Sequence, residues 1–90
     1  MMQIRNLRVA NPRGLHAQAC ARIVEIAKRS RCNLFVVSKG RRVSARNIVA
    51  VMLVTASIGA TVRIEADGPD EGVAIREIAS LFRDGFGERR

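Results

Sequence analysis

One histidine carries the chemical prospects of this chain. His16 stands in the run Asn11-Pro12-Arg13-Gly14-Leu15-His16-Ala17-Gln18-Ala19, and no other imidazole occurs among the 90 residues. Turn-forming Asn, Pro and Gly precede it, and a helical apolar pattern follows it. The ring therefore falls at the positive end of a helix, among N–H groups that have no intrahelical acceptor. Such a place suits an anion. A neutral imidazole also offers one ring nitrogen to an electrophile. Capture of a phosphoryl group on the ring would need neither a metal nor a partner base, whereas a hydrolase would want a second titrating group nearby. The competing reading is structural, with His16 as a helix cap or turn residue.

The remaining reactive residues narrow the chemistry. Cys20 and Cys32 are the only cysteines, and they form no CxxC pair. With one histidine they make no tetrahedral zinc set, so no metal and no cofactor are expected. Cys20 falls in a helical pattern and Cys32 at a strand entrance. Both read as buried or partly buried free thiols, and a disulfide is not expected in a reducing compartment.

Charge and composition bound the partners. The formal net charge is +8, and up to Arg63 the only acid is Glu25. A basic front of this kind fits an acidic protein surface or nucleic acid, or is simply a solvated face. The three Phe residues, Phe35, Phe82 and Phe86, read as core, and there is no Trp or Tyr to stack on bases. No nucleic-acid partner is therefore expected. No apolar run approaches the roughly 20 residues of a membrane span, and the N-terminus lacks a signal peptide's apolar core. A cytoplasmic, soluble chain without membrane insertion is expected.

The elements that must position His16 follow from periodicity. Gln3 to Val9 alternates imperfectly through Ile4, Leu7 and Val9 and reads as a strand. Ala17, Cys20, Ile23, Val24 and Ala27 trace one face of a helix that runs to Arg29, with Arg22, Glu25, Lys28 and Arg29 on its other faces. Asn33 to Ser38 is a strand, Lys39-Gly40 a tight connection, and Arg41 to Ser44 the returning arm of a hairpin. Ser44 or Asn47 is placed to cap a short helix through Ile48, Val51, Met52 and Val54. A loop spans Thr55 to Ala60. Thr61 to Asp67 alternates cleanly, with Val62, Ile64 and Ala66 on one side and Arg63 and Glu65 on the other. Gly68-Pro69-Asp70-Glu71 starts a last helix with the stripe Ala74, Ile75, Ile78, Leu81 and Phe82. Gly85 and Gly87 weaken its end, and Glu88 to Arg90 read as a frayed tail. The order β-α-β-β-α-β-α predicts a two-layer α+β domain over residues 1–90, with helices on one face of a sheet.

The element order and the Asn11-x-x-Gly14-Leu15-His16-Ala17 run resemble the HPr family, the histidine phosphocarriers of the bacterial phosphoenolpyruvate-dependent sugar phosphotransferase system. The Gly40–Val43 hairpin, the segment Asn47-Ile48-Val49-Ala50-Val51-Met52 and the Gly68-Pro69-Asp70-Glu71 start extend the resemblance over nearly the whole chain. It implies an open-faced sandwich with a four-stranded antiparallel sheet and three helices on one face. It also implies a carrier in a relay rather than a stand-alone enzyme. His16 would take a phosphoryl group from phosphorylated Enzyme I, hold it on Nδ1 and give it to an Enzyme IIA domain. Ala17 and Gln18 would bind the phosphate. Leu15, Asn47, Ile48 and Arg13 would contact partners, with Leu15, Ile48, Val51 and Met52 as exposed apolar candidates.

Two positions depart from the family pattern. The family has an arginine two residues after the histidine, often followed by proline, where this chain has Gln18 and Ala19. Gln18 can donate a neutral hydrogen bond but brings no charge and no guanidinium fork. Arg13, Arg22 and the Arg46 region are the other sources of charge. Many members carry a regulatory serine where this chain has Asn47, which can cap a helix but cannot accept that phosphate. The first departure motivates an alternative, a regulatory binding protein on the same scaffold with weak or no phosphotransfer. A small basic nucleic-acid binder is the less favoured third reading.

Overall fold

Alternation along the central strand sets the two sides of the molecule. In β4 (Thr61–Asp67), Val62, Ile64 and Ala66 are fully buried while Thr61, Arg63 and Asp67 are exposed. This period of two places the apolar residues against helices and leaves the other face open. The computed structural model describes residues 2–10, 14–54 and 61–87. The loop Thr55 to Ala60, the turn residues 11–13 and the tail 88–90 lie outside the described residues.

The other elements are β1 (Gln3–Arg8), α1 (Ala17–Arg29), β2 (Asn33–Ser38), β3 (Arg41–Ser44), α2 (Ile48–Leu53) and α3 (Glu71–Arg83). The sheet order is β1-β4-β2-β3, and every pairing is antiparallel. α3 packs on β1 and β4, α1 packs beside α3, and α2 rests against α1 and β3. The result is the expected open-faced sandwich with its three helices on one side. Its core is aliphatic, centred on Ile23, Ile64, Ile78, Val36, Val51 and Val62.

The hairpin between β2 and β3 turns on Lys39 and Gly40, whose φ angles are +51° and +79°. Two successive positive φ values match the twist of the flanking strands. Ser30 and Cys32 are buried where the chain leaves α1, and both cysteines are free thiols inside the core.

Several local expectations are corrected. Val9 is buried but lies just past β1. Ile4 pairs with Glu65 and Leu7 with Val62, so Ile4 and Leu7 sit on opposite faces, which explains the imperfect alternation. Ala17 is exposed rather than part of the buried face of α1, whereas Ala19 and Ile26 join that face. Pro69 precedes the Asp70 N-cap instead of opening α3. Phe35 is not core. It pairs with Glu65 on the open face of the sheet, half-buried beneath the Arg42 guanidinium, which lies 3.6 Å from the ring centroid.

Glu65 is the other surprise of the open face. It is only 5% exposed although it points away from the helices. Arg42 Nε approaches Oε1 at 2.8 Å and Arg63 Nε approaches Oε2 at 3.1 Å. A carboxylate held by two guanidinium groups keeps its hydrogen bonds while losing water.

Candidate functional site

α1 begins where the sequence places it, with His16 as its N-cap at φ −77° and ψ 177°. The His16 carbonyl accepts the first helical bond from Cys20 N at 2.9 Å. The amides of Ala17, Gln18 and Ala19 therefore have no acceptor within the helix. The imidazole makes no capping bond to them, and the first turn carries no acidic residue. The cap reading of His16 thus holds for its backbone and not for its ring.

The loop before His16 is pinned from below. Gly14 has φ +66°, a conformation that glycine adopts without a Cβ penalty. Leu15 is 3% exposed and belongs to the core. Its expected exposure is corrected: the side chain anchors the loop and presents no contact surface. Cys20 Sγ donates to the Leu15 carbonyl at 3.5 Å, tying the same residue to the helix. These anchors leave His16 half-buried between an inward Leu15 and outward Ala17 and Gln18.

An open cleft of about 430 Å³ lies beside the ring, lined by His16, Gln18, Ala19, Ala21, Arg22, Phe86 and Gly87. Its far wall comes from the other end of the chain. After α3, Gly85, Phe86 and Gly87 take φ values of +61°, +57° and +76° and turn the backbone toward α1. Phe86 is buried edge-on against Phe82, with ring centroids 5.0 Å apart. Its carbonyl accepts from Arg22 Nη1 at 3.2 Å. Sequence reasoning read the two glycines as weakening a helix end and missed this wall. The available signal was the Gly-Phe-Gly triplet, which permits left-handed backbone around an aromatic anchor.

The other predicted residues separate by role. Arg13 lies outside the described residues. Asn47 caps α2, its Oδ1 accepting from Ala50 N at 3.1 Å. Ser44 instead accepts from the Arg46 amide at 3.2 Å in the turn before it. Ile48 and Met52 are exposed, as expected of contact residues, whereas Val51 is buried. Val49 and Leu53, which the sequence reading did not single out, are 62% and 68% exposed and complete an apolar outer face on α2. Arg46 faces the opposite end of α1 from His16. It donates to the carbonyls of Ala27, Ser30 and Cys32 at 3.2, 3.1 and 3.3 Å. Among the described residues, no cluster of three or more His, Cys, Asp or Glu could hold a metal ion.

A small sandwich with a histidine at the start of its first helix, beside a cleft with no acidic lining residue, defines a phosphocarrier-type domain. Comparison with known proteins names the group. Residues 4–84 match the model of the family described as PTS HPr component phosphorylation site. The chain is 40% identical over 82 residues to the phosphocarrier protein HPr of Xylella fastidiosa strain Temecula1, covering 91% of this chain and 92% of that one. It is 38% identical over 84 residues to the phosphocarrier protein HPr of Cupriavidus necator, covering 93% and 94%. The crystal structure of HPr-C-His from Thermoanaerobacter tengcongensis superposes with a TM-score of 0.92 at 30% identity, over 98% of this chain and 99% of that one. The chain belongs to the HPr family and is a phosphocarrier of the phosphotransferase system.

Proposed function

We propose that His16 is the phosphoryl acceptor, charged by phosphorylated Enzyme I and discharged to an Enzyme IIA domain. The observation that carries this reading is the N-cap geometry. The backbone of His16 starts α1 while its ring makes no capping bond, beside amides that the helix leaves without acceptors. The ring nitrogen's lone pair forms the bond to phosphorus as the bond to the donor's leaving atom breaks, and that atom keeps the electron pair. The phosphoryl oxygens then meet the Ala17 and Gln18 amides and the positive end of α1. No metal is required of this chain, because the amides and dipole supply the stabilisation.

The outer face of α2, with Ile48, Val49, Met52 and Leu53, is the surface we assign to partner docking. Apolar side chains there would supply the buried area, and the chain's net charge of +8 would steer acidic partners. Among the described residues no helix is long and apolar enough to cross a membrane, which accords with a cytoplasmic carrier.

Incubation with Enzyme I, magnesium and labelled phosphoenolpyruvate tests the acceptor assignment. Acid-labile label is expected on the wild-type chain and none on His16→Ala. Label that survives this substitution would overturn it. Gln18 gives the regulatory alternative its one specific support, since it brings no charge to the first turn. Transfer too slow to sustain a relay, together with tight binding to a protein outside it, would favour that alternative.

A further inference from the structure

We propose that Arg22 supplies the positive charge for the phosphoryl group on His16, in place of the arginine that the family pattern sets two residues after the histidine. The inference rests on His16 as the acceptor. Gln18 and Arg22 are four residues apart on α1 and share a face. Long side chains on a helix lean toward its N-terminus, which directs a residue at position 22 toward the turn that carries Gln18. Both residues line the cleft beside His16. The positive charge therefore stands one turn further along the helix than Gln18, on the wall of the same cleft.

The environment of Arg22 separates it from five other arginines, Arg29, Arg31, Arg42, Arg46 and Arg63. Arg29 faces Glu77, Arg31 faces Asp70, and Arg42 and Arg63 share Glu65. Arg46 is held on carbonyls at the far end of α1. Arg22 instead donates to a neutral carbonyl, that of Phe86 at 3.2 Å. A neutral acceptor aims the guanidinium without cancelling its charge. It also engages only part of a group that has about five N–H donors. Gly87 lies alongside, and a Cβ built on it would stand 3.6 Å from Arg22 Nη1. The Gly-Phe-Gly segment is therefore a positioning strap, held by the buried Phe86 ring.

In the transfer, the N–P bond to His16 forms as the donor bond breaks, and negative charge spreads over the phosphoryl oxygens. Arg22 donates N–H to those oxygens, and Gln18 adds a neutral hydrogen bond. No proton leaves Arg22 in this step.

Initial rates of label transfer from phosphorylated Enzyme I to four chains test the assignment: wild type, Arg22→Gln, Gln18→Arg and the double variant. Arg22→Gln is expected to slow transfer about ten- to a hundredfold, the scale of a lost charge-assisted bond. Gln18→Arg in the Arg22→Gln background is expected to restore most of the rate. That rescue isolates charge from folding, because both chains carry the same residue at position 22 and lack its guanidinium bond to Phe86. Transfer by Arg22→Gln within twofold of wild type overturns the proposal, as does a double variant no faster than Arg22→Gln alone. A wild-type chain that takes no label overturns the acceptor assignment as well, so the two failures are distinguishable.

Discussion

Asp70 and Arg31, 39 positions apart, close a reciprocal pair through the Arg31 backbone. The Asp70 carboxylate accepts the Arg31 amide at 2.8 Å, and the Asp70 amide donates to the Arg31 carbonyl at 3.3 Å. Asp70 sits at the N-cap of α3 but makes no side-chain cap there. Its side chain instead ties the exit of α1 to the start of α3.

Asp70→Ala should therefore cost about 1–2 kcal/mol, the range for losing a hydrogen bond to a charged group at a partly exposed site. Arg31→Ala should cost much less, because the strong bond is to its backbone and its side chain is 83% exposed. Urea denaturation of the two variants checks the order. Equal losses would show that the side-chain ion pair, not the backbone pair, makes the link.

Gly68 gives a second prediction at the same junction. Its φ is +145°, and a Cβ there would lie 2.7 Å from Cys32 Cα and 2.9 Å from the Arg31 carbonyl oxygen. Both contacts are with backbone that cannot rotate away. Gly68→Ala should destabilise by more than the roughly 1–3 kcal/mol of backbone strain alone. Gly40→Ala, at φ +79° with nothing within 4 Å of the added Cβ, should lose only the strain component. Comparable melting temperatures for the two variants would contradict this.

On the open face, Arg42 and Arg63 share Glu65 but should not be equivalent. Arg42 also stacks on Phe35, which adds a cation–π contact worth about 0.5–1 kcal/mol at an exposed site. Arg42→Ala is expected to cost about 1–2 kcal/mol and Arg63→Ala under about 1 kcal/mol, both discounted because the guanidinium groups are half exposed. Arg42→Lys should not recover the loss, since an ammonium cannot stack and bond as the planar group does. Full recovery by lysine, read from denaturation midpoints, would refute the stacking argument.

Cys32 contributes a loss of stability at alkaline pH. Burial pushes its thiol up, the negative charge of Asp70 pushes further, and Arg46 opposes both. The unfolded thiol loses its proton first, near its ordinary value of about 8.5. The contribution to stability is thus fully present below that pH and falls as pH rises toward the higher folded value. Melting temperature should hold between about pH 6 and 8 and decline above about pH 9. Cys32→Ala should flatten the decline, and an unchanged slope in that variant would assign it elsewhere.

Much of the site was legible from local pattern. A turn signal, a single histidine and an amphipathic run were enough to place His16 at the start of α1, because capping and helical periodicity act within a few residues. The same locality narrowed the cap of α2 to Ser44 or Asn47, and the structure chose Asn47. It failed at Leu15, since whether an apolar residue beside a site faces water or core depends on what lies beneath it. It failed at Phe35, read as core, because the Arg42 guanidinium that covers it comes from the neighbouring strand. The outward face of Glu65 was readable, but not its burial, which depends on Arg42 from that same strand.

What the sequence by itself determined is the order of elements, the buried faces of β4 and α3, and a single histidine at a helix start. These follow from side-chain period and backbone geometry, which need no distant partner. Only the tertiary structure decided which arginine stands at the histidine. Arg46 and Arg22 are alike as residues, yet one is drawn to carbonyls at the C-terminal end of α1 and the other lines the cleft with His16. That choice depends on the Phe86 carbonyl, brought to Arg22 from 64 positions away by a glycine-flanked turn and a buried ring. No spacing rule reaches so far, because a contact between chain ends exists only once the core has placed α1 beside α3.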